Sequence, residues 1–315
     1  MTKKLIIDTD TGIDDAIAIL MALAAPDCEI VAVTTVSGNV PLDLVTRNVG
    51  IVLNAAGADP IPIFRGSDRP LLAPAVHAAS VHGQDGLGDA GFPTLARRVE
   101  PEPAAQALVR TARENPGATL IALGPLTNVA LALALEPNLP NLLAGAVLMG
   151  GAVRAQGNAT PVAEFNIYAD AEAAAMVFAR GLNPTVLSWE ATLEMPVQWE
   201  IWDRLLSAGP LGNHFVAPMV VGLTQRGHAR GHAGILLPDP LAMAVVLDPE
   251  CATTYPARVD VDTGWGAGRG LTAVDALGRG GRPANAQIVS EVNQERFTTL
   301  LERAFRMECH LAREV

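Results

Sequence analysis

Short apolar runs alternate along this chain with longer segments in which apolar residues recur every three or four positions. Leu5, Ile6 and Ile7 read as a buried strand, and further strand-like runs fall near 30–35, 119–123, 146–149 and 185–188. Helical periodicity occupies 16–25, 41–56, 103–115, 126–135 and 170–180, with a later stretch at 241–247. This βαβ rhythm predicts an α/β fold: a mainly parallel, Rossmann-like central sheet flanked by helices, with ligands at the carboxyl ends of the strands. No linker, repeat or low-complexity stretch divides residues 1–315, so one large domain is expected, with a mainly helical insertion around 190–240.

Composition narrows the function. Half of the residues are hydrophobic, ample for a buried core. Residues 118–135 carry no charge, a length that would flag a membrane span, but Gly124-Pro125 and Thr127-Asn128 break the run into strand, turn and helix. The net charge of −11 and the lack of any basic run argue against nucleic acid as a partner. Cys28, Cys251 and Cys309 are odd in number and widely spaced, which excludes a disulfide framework and a CxxC metal knuckle and fits a reducing cytoplasm. The apolar run after Lys3-Lys4 is three residues long, too short for an export signal.

The most informative segment is Asp8-Thr9-Asp10-Thr11-Gly12-Ile13-Asp14-Asp15, where four carboxylates crowd a strand-to-helix turn. An acid in the first turn of a helix is stabilised by about 0.3–1 kcal/mol against the macrodipole, which accounts for Asp14 or Asp15 alone. It leaves Asp8 and Asp10 unexplained, because like charges a few ångströms apart raise one another's pKa unless a cation compensates. Carboxylates without neighbouring Cys or His favour an oxygen-seeking ion, Ca²⁺ or Mg²⁺, over zinc.

The other strand ends lead to Ser37-Gly38-Asn39 and to Gly150-Gly151, which runs on to Asn158, Glu164, Phe165 and Asn166. Asn39 and Asn158 taken singly suit turns. Glu164 and Asn166 flank Phe165 with period two, so both are expected to face one cavity with the aromatic ring packed behind. Amides and carboxylates converging on a pocket suit a polyhydroxylated ligand such as a sugar. Asp239 and Pro240 sit where an N-cap and the first helical residue are expected for 241–247; a fifth carboxylate there could instead complete a metal shell.

With these residues assembled, the chain resembles the inosine-uridine nucleoside hydrolase family. The matching motifs are the Asp8–Asp15 cluster, Asn39, Gly124-Pro125-Leu126-Thr127-Asn128, Met149-Gly150-Gly151, Glu164-Phe165-Asn166-Ile167-Tyr168 and Asp239-Pro240, in that order over most of the chain. The resemblance implies a nucleoside hydrolase fold, Ca²⁺ as cofactor, and a ribonucleoside cleaved at its N-glycosidic bond through an oxocarbenium-like transition state. It implies metal ligation by Asp10, Asp15, Asp239 and the main-chain carbonyl of Leu123. Ribose contacts fall on Asp14, Asn39, Asn158, Glu164 and Asn166; Asp10 is the general base on water held by the ion, and Asp8 stands behind, orienting the loop. It also implies a homo-oligomer, dimeric or tetrameric.

Two departures bear on the nucleobase side. Familiar members carry His immediately before the Asp-Pro pair, where it can protonate the leaving base; this chain has Pro238. His82, in Val81-His82-Gly83-Gln84-Asp85-Gly86, is the best remaining acid, followed by His228 and His232. Ser188-Trp189-Glu190 also departs from the family pattern, and Trp189 and Trp265 are each candidates either for the core or for stacking on the base. Two other readings stay open: a ribonucleoside-binding or sensing protein with little turnover, kept alive by Pro238, and a metal-dependent phosphatase with Asp8 as nucleophile.

Overall fold

The computed structural model describes residues 2–94, 97–154 and 156–311. Ten strands form one sheet: β1 (Lys3–Thr9), β2 (Cys28–Thr35), β3 (Ile63–Arg65), β4 (Val99–Glu100), β5 (Ala118–Ala122), β6 (Leu143–Met149), β7 (Thr185–Leu187), β10 (Ala252–Val261), β11 (Thr272–Asp275) and β12 (Ala286–Val292). The intervening β8 (Val197–Gln198) and β9 (Gly234–Ile235) pair separately as a small antiparallel ribbon.

The order across the sheet is β11-β10-β12-β7-β6-β5-β1-β2-β3-β4. Every neighbouring pair from β12 to β4 is parallel, and only the β10–β12 and β10–β11 pairs are antiparallel. The chain runs outward from β1 through β2, β3 and β4, then returns to place β5 on the other side of β1. The topological switch point therefore lies between β1 and β5, where the crevice at the carboxyl ends of such strands receives ligands.

Strand alternation builds the two-sided core. Leu5 and Ile7 face one apolar layer with Ile121, Val147 and Met149, while Ile6 faces the other with Leu120, Ala146 and Leu148. Helices Ile13–Ala24, Leu42–Ala55, Pro238–Leu247 and Gln294–Phe305 cover the first face; Ala104–Glu114, Thr127–Leu135 and Ala171–Ala179 cover the second. Helix Ile13–Ala24 is packed by sheet on one side and by the helices Pro238–Leu247 and Gln294–Phe305 on the other, so nearly all of it is buried. That explains its apolar sequence with little amphipathic contrast.

The periodicity places the helices at 41–56, 103–115, 126–135 and 170–180 within one residue of each observed end. It misses β3 and β4, which are three and two residues long, and the antiparallel β10–β12, whose exposed positions interrupt the apolar run. Two local expectations are corrected. The late helix starts at Pro238, so Pro238 takes the first position and Asp239 sits within the turn with no capping hydrogen bond. Glu164 and Asn166 are not on an extended segment: Glu164 caps helix Phe165–Ala169 and Asn166 is inside it, so the aromatic ring of Phe165 joins the cavity wall rather than packing behind.

Asn285 fastens the antiparallel arm to the rest. Its Oδ1 accepts from the Val259 N–H at 2.7 Å, and its Nδ2 donates to the Phe178 and Val259 carbonyls, each at 2.9 Å. Asn285→Ala should lower stability by about 2–3 kcal/mol in urea denaturation, because buried backbone groups lose their partner. A loss below about 0.5 kcal/mol would contradict this account of the arm.

Candidate functional site

At the end of β1 the chain enters a turn whose polar groups are all withdrawn from solvent. Asp8, Thr9, Asp10, Thr11 and Asp15 are fully buried. Asp15, at the third position of helix Ile13–Ala24, accepts from the Gly12 N–H at 2.9 Å, from Asn39 Nδ2 at 3.1 Å and from the Thr9 hydroxyl at 2.5 Å. Asp10 accepts from the Asn39 N–H at 2.7 Å through one oxygen. Its neighbours must be glycines: a Cβ at Gly38 would lie 2.1 Å from one Asp10 oxygen, and one at Gly124 would lie 2.8 Å from the other.

Asp8 holds the strand ends together. Its Oδ1 accepts from Thr34 on β2 at 2.5 Å and from Asn128 Nδ2 at 2.8 Å, and Asn128 also donates to the Thr35 carbonyl at 3.0 Å.

Asp14, Asp15 and Asp239 bring carboxylate oxygens within 4.8 Å of one another, close enough for one cation. Asp10 lies against the same group and adds its charge to it. Three buried oxygens, Asp8 Oδ2, Asp10 Oδ1 and Asp14 Oδ1, have no hydrogen-bond partner. Burial and mutual repulsion push these groups upward: Asp8 to about 7 and Asp14 to about 6 through burial, and Asp10 and Asp239 well above the carboxylate range through burial and neighbouring charge. The residues therefore fit a hard, oxygen-seeking cation, which would supply the partners and charge the cluster lacks.

Beside the cluster lies a cavity of about 520 Å³, a size ordinary for a small-molecule site. Asp14, Asn39, His82, Leu123, Asn158, Glu164, Asn166, Trp189, His232 and Asp239 all line it, a set spread over more than two hundred residues of sequence. Glu164, pushed upward by burial, accepts from the N–H groups of Gly151, Asn166 and Ile167. Asn166 Nδ2 donates to the Leu123 carbonyl at 2.6 Å and the Met149 carbonyl at 3.1 Å, and Asn158 accepts from the Phe165 N–H at 2.8 Å.

His82 is 7% exposed. Its Nδ1 accepts the Ile13 N–H at 3.1 Å, so the neutral ring carries its proton on Nε2, and burial lowers its pKa to about 4. Asp14 Oδ1 stands 3.6 Å from the same nitrogen, beyond a hydrogen bond. The ring is thus a neutral donor in the cavity wall.

Two candidates fall elsewhere. His228 is on the outer face of helix Ala217–Ala229, exposed and stacked on Trp199 with ring centroids 4.0 Å apart, and does not line the cavity. Trp265 is 69% exposed in the loop between β10 and β11 and does not line the cavity, its ring 4.3 Å from the Arg269 guanidinium. The tryptophan that does join Trp189 in the lining is Trp199, whose Nε1 donates to the His232 carbonyl at 2.9 Å. Arg226 and Arg230 also line the cavity without having been singled out from the sequence, as do Phe165, expected to pack behind it, and Tyr168, named only as part of a motif. The visible signal for the first two was the pair of arginines four apart in Arg226-Gly227-His228-Ala229-Arg230.

A parallel sheet with a buried carboxylate cluster and an amide-lined cavity at its switch point is the arrangement of the nucleoside hydrolases, and comparison with known proteins agrees. The profile of the inosine-uridine preferring nucleoside hydrolases matches residues 5–299, and the chain belongs to that family of hydrolases acting on N-glycosyl bonds. It is 35% identical over 304 residues to the pyrimidine-specific ribonucleoside hydrolase RihA of Citrobacter koseri, covering 96% of this chain and 97% of that one. It is 33% identical over 306 residues to the inosine-uridine preferring nucleoside hydrolase of Leishmania major, with 96% of each covered. Among solved structures it superposes on a plant nucleoside hydrolase with a TM-score of 0.89 at 33% identity, over 97% of this chain and 99% of that one. A purine-preferring ribonucleoside hydrolase from Gardnerella vaginalis gives 0.89 at 29% identity, over 96% and 98%.

A carboxyl whose folded pKa exceeds its unfolded value binds its proton more tightly when folded, so the stability it contributes is present at low pH and lost as pH rises through the folded pKa. Asp8, at about 7, and Asp14, at about 6, act in this sense, as do Asp10 and Asp239. His82, lowered to about 4, acts oppositely and offsets one of them. In a chelator the melting temperature should therefore fall as pH is raised from 5 to 7.5, and saturating Ca²⁺ should remove that fall, as read by calorimetry. A chelated protein whose melting temperature rises across this window would contradict the clustered-carboxylate account.

Proposed function

We propose that the protein hydrolyses the N-glycosidic bond of ribonucleosides to ribose and free nucleobase, with Ca²⁺ as its cofactor. The observation that carries this reading is the buried carboxylate cluster with orphaned oxygens opening onto a cavity lined by amides and carboxylates. Asp10, Asp15 and Asp239, with Asp14 and the Leu123 carbonyl beside them, would hold the ion. All are oxygen donors, and an irregular set of this kind suits Ca²⁺ better than the strict octahedron of Mg²⁺. When bound, the ion supplies Lewis acidity that lowers the pKa of water and fixes the ribose hydroxyls.

The remaining chemistry belongs to the chain. Asp14, Asn39, Asn158, Glu164 and Asn166 orient the sugar, donating to and accepting from its hydroxyls. Asp10, anchored through one oxygen by the Asn39 N–H, has its other oxygen free to take a proton from the attacking water. As the glycosidic bond stretches, positive charge grows on the ribosyl ring, and the surrounding carboxylates favour it electrostatically. His82, through its Nε2–H, and Trp189, Trp199 and His232 remain for the base. RihA is pyrimidine-specific and the Gardnerella enzyme purine-preferring, so relatives leave the preferred base open. On the family resemblance we also read the protein as a cytoplasmic homo-oligomer.

Free ribose released from a panel of purine and pyrimidine ribonucleosides tests this. Release should stop with a chelator, return with Ca²⁺, and fall by about 10³-fold in Asp10→Asn with the circular dichroism spectrum unchanged. Release that persists in chelator would remove the metal from the reaction. Tight nucleoside binding without release would make the protein a sensor, the reading for which Pro238 speaks.

A further inference from the structure

Arg226 and Arg230 stand one turn apart at the end of helix Ala217–Ala229, and both line the cavity. Arg226 Nη2 donates to the Val81 carbonyl on the short helix Ala79–His82, and its charge reaches His82. The path from the carboxylates to the arginines is thus short: Asp14, His82, Arg226, Arg230.

These two arginines lack what most of the others have. Arg65, Arg110, Arg113, Arg154, Arg258, Arg269, Arg282, Arg296 and Arg306 each hold a carboxylate; among the described residues, neither Arg226 nor Arg230 does. The chain has 33 acidic and 22 basic residues, so an acid to pair with them was not scarce. Like charges at this helical spacing repel by a few tenths of a kcal/mol, against which stand only the Val81 contact of Arg226 and the helix C-terminus. Burial, with the Arg230 charge next to it, holds Arg226 below the usual guanidinium range. Uncompensated positive charge facing a substrate cavity calls for negative charge on what occupies it.

The proposed reaction generates such a charge. When the bond from the sugar to the base breaks, its electron pair goes to the nitrogen. Pro238 offers no proton to neutralise that nitrogen, the Trp199 N–H is committed to the His232 carbonyl, and His82, kept neutral by burial, has an Nε2–H that can donate a hydrogen bond but no imidazolium proton to transfer. We propose that Arg226 and Arg230 hold the departing nucleobase as its anion, so that guanidinium charge does the work of a proton donor. The inference rests on the hydrolase reading above.

The step balances as follows. The glycosidic carbon–nitrogen bond breaks with both electrons on nitrogen, and a water oxygen bonds to the anomeric carbon. The water proton passes to Asp10, and the base anion, held by the fork of guanidinium N–H groups, takes a proton from solvent on release. Arginine gives up no proton at any point, since a guanidinium stays charged throughout the reaction. The favoured substrates are nucleosides whose base carries carbonyl oxygens conjugated to the glycosidic nitrogen, which spread the charge and accept bidentate N–H donors. Uracil and the oxopurines meet this description.

The test compares the full-length wild type with Arg226→Gln, Arg230→Gln and Arg226→Lys. Ribose release is followed from the faster of uridine and inosine and from a nitrophenyl riboside, whose leaving group is already a stable anion. Each Gln variant should lose about 10²-fold in kcat/KM on the nucleoside, the magnitude of one removed oxyanion donor, and far less on the nitrophenyl riboside; Arg226→Lys should recover part of the loss. The Arg230 side chain makes no hydrogen bond or ion pair among the described residues, so its replacement does not put the fold at risk. Equal losses on both substrates would overturn the role of the arginines while leaving the hydrolase standing. Release from neither substrate by the wild type would overturn both.

Discussion

Mutual repulsion among buried carboxylates at the end of β1 is the constraint around which this molecule is arranged. Asp8, Asp10, Asp14 and Asp15 arrive within eight residues of one another, and the start of helix Pro238–Leu247 adds Asp239 from more than two hundred residues away. A chain optimised for stability alone would not gather these groups without solvent, since each pays desolvation and raises its neighbours. The surrounding hydrogen bonds from Thr9, Gly12, Thr34, Asn39 and Asn128 fix Asp8, Asp10 and Asp15 in place, yet Asp8, Asp10 and Asp14 each keep one oxygen unpartnered. That incompleteness is what a divalent cation would resolve.

The sheet makes the gathering possible. Because the chain reverses its direction of growth at β1, the ends of β1 and β5 open side by side, and the loops after β2 and β6 fall to either side of them. Asn39, Leu123 and Asn166 thereby converge although they are far apart in sequence. The buried helix Ile13–Ala24, clamped between sheet and helices, gives Asp14 and Asp15 a rigid mount. The segment from Trp189 to Ile235 adds aromatic rings and arginines to the lining of the same cavity.

Much of this was legible in the residues, for physical reasons. Apolar periodicity marked the parallel strands and their helices because both sheet faces are covered, and strand ends led directly to Asn39, Glu164 and Asn166 because a parallel sheet binds at that edge. What escaped had weaker local causes. Glu164 caps a helix with the same residue types that an alternating strand would show, so period two misled there. Asp239 proved to be inside its helix because Pro238, not Pro240, occupies the first position. His228 and Trp265 could not be separated from Trp199 and Arg226 by type; only the packing of helix Ala217–Ala229 against helix Ala79–His82 decides which face meets the cavity. Asp14 joins Asp15 and Asp239 as the tightest trio, a grouping that depends on rotamers and not on spacing.

The central claim, that these buried carboxylates give up protons to take a cation, can be measured directly. Calcium binding to the chelated protein should be followed by isothermal calorimetry at pH 6 in two buffers of different ionisation enthalpy. The account predicts one ion bound per chain, a heat that changes with the buffer because protons leave the cluster as the ion enters, and loss of binding in Asp239→Ala. Binding of calcium with no proton release, or no binding at all, would contradict it.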